Sequence, residues 1–303
     1  MSEPETRFEL DRRALVRSFS RAAAHYEEAA HLQQRVRAEL LERLQYFTLA
    51  PQRVLDLGAG CCQAALLLQR RFPRAQVLAL DIAEGMLQAM PRARWPWRRA
   101  GIARVCADAR ALPLAAHSVE LIYSNLMLQW CDRPDAVFTE LARVLKPGGL
   151  LLFSTFGPDT LRELRSAWAA ADDHNHVSLF ADMQQIGDGL MRAGFAEPVM
   201  DLEHYRLHYP AVHALMRELK QLGARNAMRS RARGLTGRAR MQSMLDAYER
   251  LRTAQGLPAT FEVICAAAFG GDAPTASGTV GHTAGEFAVP LSAVKLPRKV
   301  PRR

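Results

Sequence analysis

Apolar residues in this chain gather into short runs that close on an acidic or hydroxyl side chain. The first is Val54-Leu55 before Asp56-Leu57, followed by Gly58-Ala59-Gly60; the next is Val77-Leu78-Ala79-Leu80, closing on Asp81. Val105 to Asp108, Val119 to Asn125 and Leu150 to Thr155 repeat the form. Near-continuous apolar runs of this length are the pattern of strands buried on both faces. The stretches between them read as helices. One predicted from Arg133 to Leu145 closes on Lys146-Pro147-Gly148-Gly149, with a basic residue late and glycine beyond it. Strands alternating with helices predict βαβ units and hence an α/β fold, a mostly parallel sheet covered on both sides.

Beyond the fifth strand the pattern predicts a helix over Asp182–Ala193 closed by Gly194, and a sixth strand over Pro198–Tyr209. Helical sequence then runs from Ala211 to about Gln255, and a seventh strand follows at Phe261–Phe269. At the other end, Asp11 to Leu44 reads as one helix, with Leu15, Val16, Phe19, Ala23 and Tyr26 at helical spacing. The expected organisation is one domain over residues 1–270. It has an N-terminal helical cap (about 11–47), a core (about 52–209 and 258–270) and a helical insert (about 210–257). Residues 271–303 are rich in Gly, Pro, Ala and Thr, and are expected to be a disordered basic tail.

Composition narrows the class. Hydrophobic residues make up 49% of the 303, enough for a large core. No run of about 18 uncharged apolar residues appears, so no membrane span is expected. The charged N-terminus has no signal core. Five cysteines without C-x-x-C or other ligand spacing predict a reduced, cytoplasmic protein with no metal site. The net charge of +9 is uneven: residues 217–240 hold eight basic side chains against one acid, Glu218. A basic protein invites a nucleic-acid reading, but a charge confined to one insert suits an acidic protein surface at least as well, and a solvated helix face remains open.

The turn after the first strand carries the chemistry. Gly58 and Gly60 let the backbone take positive φ and let a ligand approach closely. An acid ending the next strand, Asp81, is placed to accept from both hydroxyls of a ribose. A dinucleotide fingerprint wants a third small residue where this chain has Gln63. The spacing Asp56-x-Gly58-x-Gly60, with Cys62 at a third glycine position, resembles instead the loop of class I S-adenosylmethionine (SAM) methyltransferases. So does the order of strands with L-K-P-G-G before the fifth. This resemblance implies a Rossmann-like sheet of seven strands. It also implies a cofactor set of Asp56, Gly58, Gly60, Asp81, Asp108, Ala109 and Ser124, in which Asp108 reaches the adenine amino group. A bland role for Asp108 as a turn or capping residue stays open, and Cys62 is expected to displace the loop slightly.

A narrower likeness rests on several motifs together: R-A-A-A-H-Y-E at Arg21–Glu27, S-N-L-x-x-Q-W at Ser124–Trp130, S-T-F-G-P-D-T-L at Ser154–Leu161, N-H-V-S-L-F-A-D-M at Asn175–Met183, and M-R-E-L-K-Q-L-G-A-R-N at Met216–Asn226. With G-L-P-A-T-F-E-V at Gly256–Val263, the set resembles the malonyl-acyl carrier protein O-methyltransferases of biotin synthesis, over about Arg12 to Gly270. The resemblance implies methylation of the free carboxylate of a malonyl thioester on carrier protein or coenzyme A, with acyl carrier protein as partner and neither nucleic acid nor membrane involved. A malonyl carboxylate is ionised at neutral pH, so no general base is required, and no Ser-His-Asp or Cys-His constellation stands out. Arg217, Lys220 and Arg225 are the expected substrate and carrier contacts. Tyr26 is the expected catalytic contact, against the alternative of a packed core aromatic. Rival readings are a methyltransferase for another small carboxylic acid or a quinone, an RNA methyltransferase, and a non-catalytic SAM-binding protein.

Overall fold

The computed structural model describes residues 9–90, 102–231, 234 and 236–271; all but the first residue of the basic tail expected over 271–303, and Arg233 of the insert, lie outside them. The chain opens with α1 (Arg12–Ala22), α2 (Tyr26–Ala29) and α3 (His31–Arg43). Then come β1 (Arg53–Leu57), α4 (Gln63–Arg71), β2 (Gln76–Asp81), α5 (Glu84–Gln88), β3 (Ile102–Cys106) and β4 (Val119–Asn125). The second half holds α6 (Pro134–Val144), β5 (Leu145–Phe156), α7 (Arg162–Ala169), α8 (Met183–Arg192), β6 (Phe195–Tyr209), α9 (Val212–Gln221), α10 (Arg238–Glu249) and β7 (Leu257–Gly270).

The strands form one sheet in the order β3-β2-β1-β4-β5-β7-β6, parallel from β3 through β5, with β7 antiparallel to both its neighbours. Strand order reverses between β1 and β4. In sheets of this kind the crevice beyond the carboxyl ends of the strands at the reversal is where ligands bind. Both faces are covered because the central strands bury nearly every residue: Val54 to Leu57, Leu121 to Tyr123 and Leu150 to Phe153 are all sealed from solvent. α6 shows how the covering works. Its Val137, Phe138, Leu141 and Val144 form one apolar stripe at helical spacing, and Phe138 packs on Phe153 of β5 with ring centroids 6.0 Å apart. Each such side chain fully buried contributes about 1.5–3 kcal/mol.

The sheet and crossovers follow the sequence pattern, and the differences have physical causes. The single helix expected from Asp11 to Leu44 is three, broken at His25 (φ −123°, ψ 7°) and Ala30 (φ −86°, ψ 40°). No Gly or Pro marks these bends. Tertiary packing makes them, because the bends carry Ala29 and Ala30 onto Leu222 beyond α9. The helix before β5 ends at Val144, and Lys146-Pro147-Gly148-Gly149 belongs to the strand, whose Leu145 pairs with Val119 ahead of a bulge. β6 starts at Phe195, before Pro198, and that proline sits where the register slips between Ala196 and Val199, a place that lacks a ladder bond to lose. α8 is as expected: Asp182 caps it by accepting from Gln185 N, and the Gln185 side chain returns the bond.

The insert lies over the crevice together with α1. Leu10 and Met228 form an antiparallel bridge, Asp11 N donates to Ala227 O at 2.7 Å, and Arg229 N donates to Glu9 O at 2.8 Å. Asp11 also caps α1 through Ala14 N and pairs with Arg231 at 3.1 Å.

Candidate active site

The glycine turn between β1 and α4 is held by the neighbouring strand. Gly58 N and Ala59 N both donate to Leu80 O, at 2.8 and 2.9 Å. Gly58 has φ 72° and Gly60 φ 52°, and a Cβ on Gly58 would collide with the Met127 side chain. Both glycines are therefore required by conformation, the first by space as well. Cys62, at the third glycine position, takes the same left-handed conformation with φ 61°, and its side chain is fully buried beside the first turn of α4. The turn thus keeps a glycine-like backbone with a side chain on it, at a cost of about 1–2 kcal/mol.

Asp81 closes β2 at the mouth of this turn. One carboxylate oxygen accepts from Gly60 N at 2.9 Å and the other from Ala83 N at 2.8 Å. Burial raises its pKa, and these backbone donors work in the opposite direction. Each oxygen retains a second lone pair, the arrangement needed to accept from two adjacent ribose hydroxyls. Around Asp81 lies a cavity lined by Gly58, Gly60, Met86, Asp108, Ala109 and Met127. Gly58, Gly60, Asp81, Asp108 and Ala109 come together as expected. The donor set fits an adenosyl group: a ribose-facing carboxylate, a glycine turn that admits close approach, and a second carboxylate, Asp108, after β3.

Two residues expected at the cofactor lie beneath it instead. Asp56 is sealed under the glycine turn, held by the Ala65 backbone N–H, with Oδ2 unpartnered; burial pushes its pKa up to about 7. Ser124 is equally buried and donates to Leu57 O at 2.8 Å, tying β4 to β1. Neither lines the cavity: Asp56 turns to the backbone of α4 and Ser124 to that of β1.

The N-terminal helices, expected as a cap, supply the cavity's roof. Arg12 pairs with Asp108, whose carboxylate also meets Arg110 at 3.2 Å, and Leu15 and Phe19 of α1 face the same space. Phe19 packs edge-on against Trp130 at 5.2 Å. Tyr26 stands at a junction: with Phe19, Leu126 and Trp130 it lines both the Asp81 cavity and a second, inner cavity bounded by Gln129, Phe156, His176, Phe180 and Arg225. Burial, foremost, and then nearby Glu27 and Asp81 push the Tyr26 phenol well above its ordinary pKa, so it remains a neutral donor.

Arg225 and Asn226 line the inner cavity and also an outer one of about 1000 Å³. Arg17 and Arg21 of α1 face Arg217 and Lys220 of α9 around that outer space. The three expected contacts on the insert, Arg217, Lys220 and Arg225, are thus brought together. Arg229 and Arg231, from the same basic run, instead pair with Glu9 and Asp11 and fasten the N-terminal segment. Elsewhere, Asp159, His204 and Glu262 gather their ligand atoms within 4.8 Å, but Arg162 already pairs with Asp159 and the Glu262 carboxylate accepts from Asp159 N. These charges are answered by protein groups. Among the described residues no helix is long and apolar enough to cross a membrane.

Gln129, Trp130 and His176 fall within motifs already singled out, S-N-L-x-x-Q-W and N-H-V-S-L-F, yet nothing in their spacing says which cavity they face. Arg12 had no signal beyond its helix.

Known proteins agree with this architecture. Residues 55–153 match the family described as "Methyltransferase domain". Among solved structures, the YcgJ protein from Bacillus subtilis aligns with TM-score 0.57 at 15% identity, covering 79% of this chain and 100% of that one, a likeness of fold. A malonyl-acyl carrier protein O-methyltransferase of Gallionella capsiferriformans is 48% identical over 261 residues, 85% of this chain and 90% of that protein. One from a Methylovorus species is 50% identical over 259 residues, 84% of this chain and 88% of its own length. Identity at this level, over most of both chains, places the chain in the malonyl-acyl carrier protein O-methyltransferase family of class I SAM-dependent methyltransferases.

Proposed function

We propose that this chain transfers a methyl group from SAM to the free carboxylate of malonyl-acyl carrier protein, the acyl group approaching the cofactor by way of three adjoining cavities. Their adjacency carries the reading: a basic outer space and an inner cavity have Arg225 and Asn226 in common, and the inner and cofactor cavities have Tyr26 and Trp130 in common. A carrier protein is acidic and delivers its acyl group on a long, largely uncharged pantetheine arm. A basic rim over a narrow passage suits that shape.

When bound, SAM supplies a methyl carried on a sulfonium sulfur. The chain's task is positioning. Gly58, Gly60 and Asp81 hold the adenosyl end, while Arg12 and Phe19 close the roof and keep water out. The malonyl carboxylate is ionised at neutral pH and attacks without a base. A protonated Tyr26 donates to the carboxylate's non-attacking oxygen, which leaves the other aligned for in-line displacement. Arg225, lining both the outer and the inner space, attracts the anion along its path. The carboxylate oxygen gains the methyl, the sulfonium bond breaks with its electron pair staying on sulfur, and no proton changes place. Arg217 and Lys220, with Arg17 and Arg21, form the face that meets the carrier.

Incubation with methyl-labelled SAM and malonyl carrier protein, followed by mass spectrometry of the arm, tests the reading. A single methyl ester on the malonyl group is expected, because the product has no free carboxylate left. Methylation on carbon, equal turnover of acetyl carrier protein, or a preference for a free acid or for RNA would overturn it.

A further inference from the structure

His176 belongs to the loop between α7 and α8, which supplies one wall of the inner cavity. Its ring is fixed on two sides. One face stacks on the Trp168 indole with centroids 3.7 Å apart and planes 10° from parallel. Its Nε2 lies 2.8 Å from Asp172 Oδ1. Burial alone would raise the Asp172 pKa, but hydrogen bonds from His174 N and from His176 hold it below the usual value, so the carboxylate is anionic. Arg240 of α10 approaches its other oxygen at 3.7 Å.

A carboxylate can only accept, so the Nε2 atom facing it carries the proton. With Nε2 protonated, the uncharged form of the ring bears its lone pair on Nδ1, and no described residue donates to that atom. His176 thus presents an oriented acceptor at the wall of the inner cavity, whose lining mixes apolar side chains with Gln129, Thr160 and Arg225. The loop also sits where two cavities adjoin: Asn226, shared by outer and inner cavities, donates from Nδ2 to Asn175 O at 2.6 Å. Malonyl itself offers only acceptors here, a carboxylate and a thioester carbonyl. The donors in the substrate lie on the pantetheine arm: two amide N–H groups and, farther from the thioester than either, one hydroxyl.

We infer that His176 is a substrate-binding residue whose Nδ1 accepts a hydrogen bond from an amide N–H of the pantetheine arm, with Asp172 as the positioning residue that fixes the tautomer. The inference rests on the malonyl-thioester reading and adds the part of the substrate that is recognised. Three variants separate the roles. His176→Phe keeps a ring on Trp168 and removes the acceptor. Asp172→Asn can turn its amide N–H towards Nε2, which moves the ring proton to Nδ1 and replaces acceptor by donor. His176→Asn restores an acceptor near the Nδ1 position.

The probes are malonyl carrier protein, malonyl coenzyme A, and the S-methyl thioester of malonate, which has no arm. His176→Phe and Asp172→Asn should each raise KM for the first two about 3- to 12-fold, the range of one neutral hydrogen bond. Both should leave kcat within about twofold and SAM affinity unchanged, and His176→Asn should recover most of the KM. On the armless thioester these variants should match wild type. An equal KM rise on the armless thioester, a loss of SAM affinity in step with KM, or no change on any probe would overturn the assignment. Failure of wild type to methylate any malonyl thioester would sink the underlying reading, whereas wild-type turnover with unaltered variants would sink this inference alone.

Discussion

Replacing Asp81 by alanine tests the cofactor geometry at its most defined point. The side chain accepts from Gly60 N and Ala83 N, which fixes both oxygens in the cavity before any ligand arrives. Hydrogen bonds to an ionised group contribute about 1.5–3 kcal/mol each. If the ribose hydroxyls use Asp81, losing one such bond weakens SAM by about 10- to 150-fold, since about 1.4 kcal/mol is tenfold. Losing both bonds would exceed that, except that water entering the truncated site recovers part. The freed Gly60 and Ala83 donors face the same space and can be solvated there, so the fold should lose less than the binding does. Calorimetric titration with SAM and with S-adenosylhomocysteine should show similar losses for both, because the ribose is common to them. A thermal melt of the unliganded variant provides the control. Unchanged affinity in a variant that melts like wild type would refute the ribose assignment, and a binding loss fully explained by a collapsed melt would show Asp81 to be a structural clamp.

Reversing Arg17, Arg21, Arg217 and Lys220 to Glu should raise KM for malonyl carrier protein and flatten its salt dependence while affecting the armless thioester little, since rim charges act mainly on encounter; equal losses on both substrates would exclude a docking role. Tyr26→Phe should keep SAM affinity and lower kcat about tenfold through one lost hydrogen bond, measured by single-turnover methyl transfer; a wild-type rate would assign Tyr26 to packing. Asp56, whose pKa rises from 3.8 to about 7 on folding, favours the folded state fully below about pH 4, and that contribution is lost as pH climbs through 7, because the folded protein then holds a proton that the unfolded chain has released. Urea denaturation of Asp56→Asn from pH 4 to 8 should therefore gain on wild type as pH rises, and parallel curves would show Asp56 to be ionised in the fold.

Much of this site was legible because it is local. The acid–glycine turn, Asp81 and Asp108 lie at strand ends, and periodicity marks strand ends directly. Asp56 and Ser124 were legible as elements but not as roles: alternation along a strand does not reveal that these side chains brace neighbouring backbone rather than enter the cavity. The bends at His25 and Ala30 left no mark either, since packing against Leu222 rather than a breaking residue makes them. The basic run was visible as a charge, but its division was not. Arg217, Lys220, Arg225 and Arg231 face the outer cavity, while Arg229 and Arg231 meet Glu9 and Asp11, and partners so distant in sequence have no spacing to read.

That distance also bears on how the molecule acquires its site. Ser18 Oγ binds Gly223 O at 3.0 Å across a sequence separation of 205, and Leu10 meets Met228 in the same seam. Closing so long a loop is entropically expensive until the intervening sheet has formed. The parallel core can assemble from short βαβ closures first, leaving the roof to zip shut last, from its two remote halves at once. A nascent chain released before residue 228 would hold the glycine turn, Asp81 and α1, but not the bridge at Met228 that fastens the segment before α1.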